Sequence, residues 1–77
     1  MTLYELSDSL TLQSNIEIKV FDEDGTGVEC RQFQDMDGFH TLMYAPDLEH
    51  YDVTYMYATV DATGTTWLVI EITEDKE

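Results

Sequence analysis

Seventy-seven residues, 43% of them apolar and nine of them aromatic, specify one folded domain with a small core, because disordered chains have few aromatic and β-branched residues. Seventeen acidic residues against three basic ones give a formal charge of −14, which argues against nucleic acid or an anionic membrane as a direct partner and favours a cationic one. No apolar run approaches the roughly 20 residues of a membrane span and no basic leader opens the chain, so a cytoplasmic location is expected, with the single Cys30 suited to a reducing compartment.

The N-terminal segment reads as a short helix. Thr2-Leu3-Tyr4-Glu5 has the spacing of a capping box, in which the Thr2 and Glu5 side chains satisfy each other's backbone N–H groups, and Leu3, Leu6 and Leu10 recur on one helical face. The helix is expected to end near Gln13. From Asn15 the period changes to two, with Ile16, Ile18 and Val20 on one strand face and Glu17, Lys19 and Phe21 on the other. Glu23-Asp24-Gly25 fits a three-residue hairpin loop that needs a glycine in the left-handed region, with Asp22 and Thr26 as its flanks. Counting outward pairs Val20 with Val28, Ile18 with Cys30, Lys19 with Glu29 and Glu17 with Arg31, and sets Phe21 across from Gly27. A calcium loop fits poorly, since alignment puts Phe33 where a bidentate Glu belongs.

Farther along, Asp37 is positioned to cap a short helix running to about Tyr44, which Pro46 helps to end. Two more strands, about Asp52–Val60 and Thr66–Thr73, flank Asp61-Ala62-Thr63-Gly64-Thr65, a second copy of the D-x-x-G-T turn. This hairpin pairs Ala58 with Leu68, Met56 with Ile70 and Thr54 with Ile72 on an apolar face. Tyr55, Tyr57, Thr59, Trp67, Val69 and Glu71 lie on the other. The expected fold is α+β: an N-terminal helix packed on the Ile18, Val20, Met56 and Ile70 face of a four-stranded antiparallel sheet made of two β-hairpins, with a short helix between the hairpins. One domain spans residues 1–77, and 72–77 form a fraying tail.

Catalytic chemistry finds little support. His40, His50 and Cys30 lack the spacings of metal sites, and so small a domain rarely shields a carboxylate well enough to shift its pKa for acid–base work. No enzyme activity, metal or cofactor is expected. Lys19 and Arg31 are expected to pair with Glu29 and Glu17, leaving the acids of the first loop, the middle segment and the tail uncompensated. Asp47, Glu49, Asp52, Asp61 and Glu74 belong to that surplus. The candidate partner-binding residues are Asp22, Glu23 and Asp24 of the first loop, Asp35 and Asp37 of the middle segment, and the stripe Tyr55, Tyr57 and Trp67 with Glu71. Aromatic rings beside carboxylates suit arginine, which stacks on one and hydrogen-bonds to the other. The stripe is either a second small core beneath the middle segment or an exposed patch for a partner or for self-association.

The opening T-L-Y-E-L-S, followed by N-I-E-I-K-V-F-D and an acidic glycine turn, resembles small proteins encoded by phages and mobile elements of Gram-positive bacteria. In size and acidity the chain is also similar to anti-CRISPR and other DNA-mimicking inhibitors. That likeness implies a phage protein in the host cytoplasm that occupies the basic nucleic-acid-binding cleft of a host nuclease, a CRISPR effector above all, as monomer or homodimer. The alternative is a structural or regulatory module whose aromatic sheet face mediates homodimerisation or docking.

Overall fold

The computed structural model describes residues 1–74 as helix α1 (Leu3–Ser9), strands β1 (Ser14–Phe21) and β2 (Gly27–Met36), helix α2 (Gly38–Tyr44), one 3₁₀ turn at Pro46–Leu48, and strands β3 (Asp52–Val60) and β4 (Thr66–Thr73). The fold is α+β, as expected, but the sheet is mixed. Its order is β2-β1-β4-β3, and the central pair β1 and β4 is parallel. Each hairpin is antiparallel within itself; the two meet through their inner strands.

Both inner strands carry the apolar residues that this position requires. Trp67-Leu68-Val69-Ile70 is a continuous apolar run, as befits a strand buried on both faces. One face of the sheet holds Ile16, Ile18 and Val20 beside Ile70 and Ile72, all at most 2% exposed, under Leu3 and Leu6 of α1, Ala45 and Leu48. Met56, expected in this face, sits out on β3 and is half exposed.

The capping box forms as the spacing predicts: the Glu5 N–H donates to Thr2 Oγ1 and the Thr2 N–H to Glu5 Oε1. The helix stops at Ser9, short of Gln13, because the Leu10 N–H turns back to the Ser7 carbonyl while the Leu10 carbonyl accepts from Gly38 N–H at 2.8 Å. Asp37 caps α2 by accepting from His40 N–H.

Both turns adopt the expected three-residue geometry. Gly25 and Gly64 have φ of 83° and 85°, and the N–H of Asp22 and of Asp61 donates to the carbonyl of Thr26 and of Thr65. Phe21 does face Gly27, but the expected register fails beyond it. Val28 bulges, so Val20 faces Glu29, Lys19 faces Cys30, Ile18 faces Arg31 and Glu17 faces Gln32. The bulge turns Phe33 onto the core face opposite Ile16, where it packs against the core, and aims Arg31 at Asp47. Packing an aromatic ring against the core and closing an ion pair outweigh two exposed cross-strand charge pairs. In the second hairpin the pairs from Tyr55 to Val60, Met56 with Ile70 among them, follow expectation, whereas Val53 rather than Thr54 faces Ile72. That bulge moves Val53 against the core, and the Thr54 hydroxyl donates to the Glu71 carbonyl. Ile72 and Thr73, expected in a fraying tail, are the last rungs of β4, with Ile72 fully buried. Residues 75–77 of that tail lie outside the described residues.

Candidate anionic interface

The parallel pairing of β1 and β4 decides where the acids gather. Phe21 pairs with Thr73 and Thr73 with Asp52, so three neighbouring strands bring Asp22, Glu74 and Asp52 to one end of the sheet. The Glu74 N–H donates to the Phe21 carbonyl at 3.2 Å, tying the two acidic segments together. Adjacent strands lie about 4.8 Å apart, so these three backbones span roughly 10 Å. Glu23 and Asp24, exposed at the loop tip, extend the same end. Antiparallel pairing of β1 and β4 would have sent the first loop to the opposite end.

The expected site residues fall in three places. Asp22, Glu23 and Asp24 belong to this acidic end. Asp35 and Asp37 lie at the far end, where β2 finishes; Asp35 takes a φ of 54° and donates its N–H to Asn15 Oδ1, and Asp37 is the α2 cap. Tyr55, Tyr57, Trp67 and Glu71 occupy the sheet face opposite the helices, so the middle segment does not cover them. Even so, only the tyrosines are exposed: Tyr55 is 68% and Tyr57 40% accessible, whereas Trp67 is 5%. The Tyr57 hydroxyl donates to Glu71 Oε2 at 2.9 Å, and Tyr57 together with the nearby Glu17 and Glu71 carboxylates raises the Lys19 pKa.

The surplus acids also divide by the work they do. Asp22 Oδ1 accepts from the N–H groups of Asp24 and Thr26, which makes it part of the turn. Arg31 holds Glu29 at 2.9 Å and Asp47 at 2.8 Å, so its partners are these two and not Glu17. The guanidinium lowers both carboxyl pKa values, Glu29 and Asp47 alike, and its own rises further. Sequence reading counted Asp52 and Glu74 among the surplus but did not assign them to the site; their membership depends on a strand pairing that no local pattern specifies.

Asp61 has the densest set of donors. Its carboxylate accepts from Thr63 N–H and Oγ1, Thr65 N–H and Trp67 Nε1, all between 2.7 and 2.9 Å. These bonds, led by the Thr63 hydroxyl and the indole, hold its pKa far below the ordinary 3.8. A carboxyl depressed in the fold stabilises it fully above its unfolded value and ceases to do so as pH falls through the folded one. Asp61→Asn is therefore expected to melt below the native chain at neutral pH, with the gap in thermal scans beginning to narrow only as pH falls below about 3.8. Asp61→Ala should also shift Trp67 emission to the red. A gap that stays constant with pH would show that the carboxylate charge is irrelevant to the turn.

Burial and the neighbouring Glu17 raise the Cys30 thiol pKa, which disfavours a reactive thiolate. Among the described residues no group of three or more metal-ligating side chains converges, and no helix is long and apolar enough to cross a membrane. A groove of about 270 Å³ between α1 and α2 is lined by Tyr4, Phe39, Leu42 and Met43, with Asp8 and Glu49 beside them. Phe39 and Met43 are largely exposed there. No known protein family, curated protein or solved structure matches the chain.

Proposed function

We propose that this chain is a non-enzymatic acidic inhibitor that enters the basic nucleic-acid-binding cleft of another protein and excludes nucleic acid from it. The observation that supports this reading is the parallel β1–β4 pairing, which sets the Asp22-Glu23-Asp24 loop beside Glu74 and Asp52. DNA also presents closely spaced backbone negatives, and its binding proteins meet them with clusters of Lys and Arg. A rigid anionic sheet end offers such a cluster negative charge without the bases. Long-range attraction between a −14 chain and a cationic cleft speeds encounter. A CRISPR effector or another host defence nuclease is the partner class that the resemblance in size and charge suggests.

Competition between the protein and a fluorescent DNA duplex for a purified CRISPR effector–guide complex tests this reading. The chain should displace the duplex, less effectively as salt rises, because screening weakens contacts between exposed charges. Combined Glu23→Gln, Asp24→Asn and Glu74→Gln should weaken displacement at least about tenfold, equivalent to about 1.4 kcal/mol. Asp22 is left intact because it builds the turn. Asp35→Asn, at the far end, should change nothing. Equal losses from both variants, or complexes that load DNA fully at saturating protein, would refute the reading.

A further inference from the structure

The outer edge of the sheet at β3 is built unlike the rest of this molecule. Residues 53 to 60 read Val-Thr-Tyr-Met-Tyr-Ala-Thr-Val, eight positions without a charge or a proline, in a chain that carries 17 acidic residues. From Thr54 onward every one of them is exposed. The other edge, β2, carries Glu29, Arg31 and Asp35. Natural sheets protect their edges with charges, prolines or bulges, because an open edge is a template for another strand. β3 has one bulge, at its beginning, and its last six residues pair with β4 without a break.

Backbone geometry shows which groups stand open. The Asp61 N–H donates to the Thr65 carbonyl, and register is unbroken back to Tyr55. Antiparallel ladders alternate bonded and non-bonded rungs, so the odd-numbered residues of β3 turn their N–H and C=O groups to β4, and Met56, Ala58 and Val60 turn theirs outward. Tyr55 and Met56 present substantial apolar surface on opposite faces of the same edge.

We infer that β3 pairs antiparallel with β3 of a second copy of this chain, joining two four-stranded sheets into one of eight strands about a two-fold axis near Tyr57. Such an axis places Met56 of one copy opposite Ala58 of the other, so both rows of open backbone groups are satisfied at once. The two-fold register, which satisfies both rows of open groups, suits a second copy, and charge selects the edge. Two chains of −14 repel across most of their surfaces, and pairing through β2 would bring Glu29 and Asp35 into the junction. The uncharged stretch from Val53 to Val60 lets two copies meet with like charges, Asp61 of one copy near Asp52 of the other, only at the two ends of the seam. At the start of β3 the outer edge is already bridged by Thr2, so the paired stretch runs from Thr54 to Val60, and Asp22 to Asp24 and Glu74, at the ends of the inner strands, stay clear of it.

Sedimentation equilibrium of the full chain, over a range of concentration and of NaCl, tests the inference. The average mass should rise from that of one chain toward that of two, and dimerisation should tighten several-fold as salt screens the repulsion. Salt would weaken binding to a cationic cleft, so the two surfaces are distinguishable. Ala58→Pro should leave a monomer at every concentration while preserving the near-ultraviolet signal of Trp67, because the lost N–H faces away from β4. Thr59→Glu, which adds a charge at the seam, should weaken the dimer at least tenfold without removing any backbone donor. Amide exchange should slow at Met56 and Ala58 in the native chain and not in Thr59→Glu. A native chain of single mass throughout, including one that captures an extended peptide as a monomer, overturns the inference. So does a dimer that both variants leave unchanged.

Discussion

Gly38→Ala is expected to destabilise the protein by about 1–3 kcal/mol, the range for an overpacked site, and to lower its melting point by roughly 4–8 °C for each kcal/mol in a domain of this size. Helix propensity alone predicts the opposite sign. Gly38 is the first residue of α2, and alanine in a helix is favoured over glycine by about 0.5–1 kcal/mol. The contact geometry overrides that preference. A Cβ on Gly38 would lie 2.5 Å from the Ser7 carbonyl oxygen, 2.7 Å from Leu10 Cβ and 2.9 Å from Ser7 Cα. Two of these three atoms are backbone, held by the end of α1, and the Gly38 N–H is itself bonded to the Leu10 carbonyl. Relief therefore requires the two helices to separate. Urea titration of native and Gly38→Ala chains decides between the signs; a variant as stable as the native protein would show that the helix junction yields cheaply.

The contrast between Gly38 and the two turn glycines marks the limit of what the residue string reveals. Gly25 and Gly64 are legible because D-x-x-G-T is a local recipe: an aspartate that accepts from two backbone N–H groups downstream, and a glycine at positive φ. Thr2 with Glu5, and Asp37 before α2, are local in the same sense. Gly38 owes its identity to a residue 31 positions earlier, so no window around it discloses the reason. Strand register has the same character. Val28 bulges because Phe33 and Arg31 find better partners across the molecule, and an exposed charge pair contributes too little to prevent it.

Parallel pairing of the inner strands, where an all-antiparallel sheet was expected, was not legible. The unbroken apolar run from Trp67 to Ile70 marks β4 as central, and the alternation of Ile16, Ile18 and Val20 is compatible with a buried β1. Neither pattern fixes relative direction, which follows from how α2 and the 3₁₀ turn carry the chain from the end of β2 back to the start of β3. The acidic end inherits this dependence. Asp22 to Asp24 are conspicuous as a run, whereas Asp52 and Glu74 join them only once the central pair is set parallel. Conversely, Trp67 looks exposed by alternation, yet its indole is held by Asp61 and covered by neighbours on a helix-free face.

Ile70→Ala is expected to have the largest effect of any single change considered, a loss of about 2–5 kcal/mol. Ile70 sits on the central strand between Ile18 of β1 and Met56 of β3, is 1% exposed, and faces the junction of α1 and α2 through Leu3, Leu42 and Gly38. The void already present there is only about 10 Å³, so the truncated side chain leaves a hole that close packing did not provide for. Small domains have stabilities toward the lower end of about 5–15 kcal/mol, so this one change should leave a substantial unfolded fraction at 37 °C. Ile70→Val, which removes one methyl group, should cost about 0.5–1.5 kcal/mol, and Met56→Ala, at a half-exposed edge, should cost less than Ile70→Ala. The two sites also make a joint prediction. Space opened by Ile70→Val should not rescue Gly38→Ala, because the added methyl collides with the Ser7 backbone and the Leu10 side chain and not with Ile70. A double variant more stable than Gly38→Ala alone would show that the helices can settle toward the sheet, and that the rigidity assigned to their junction resides in the core beneath it.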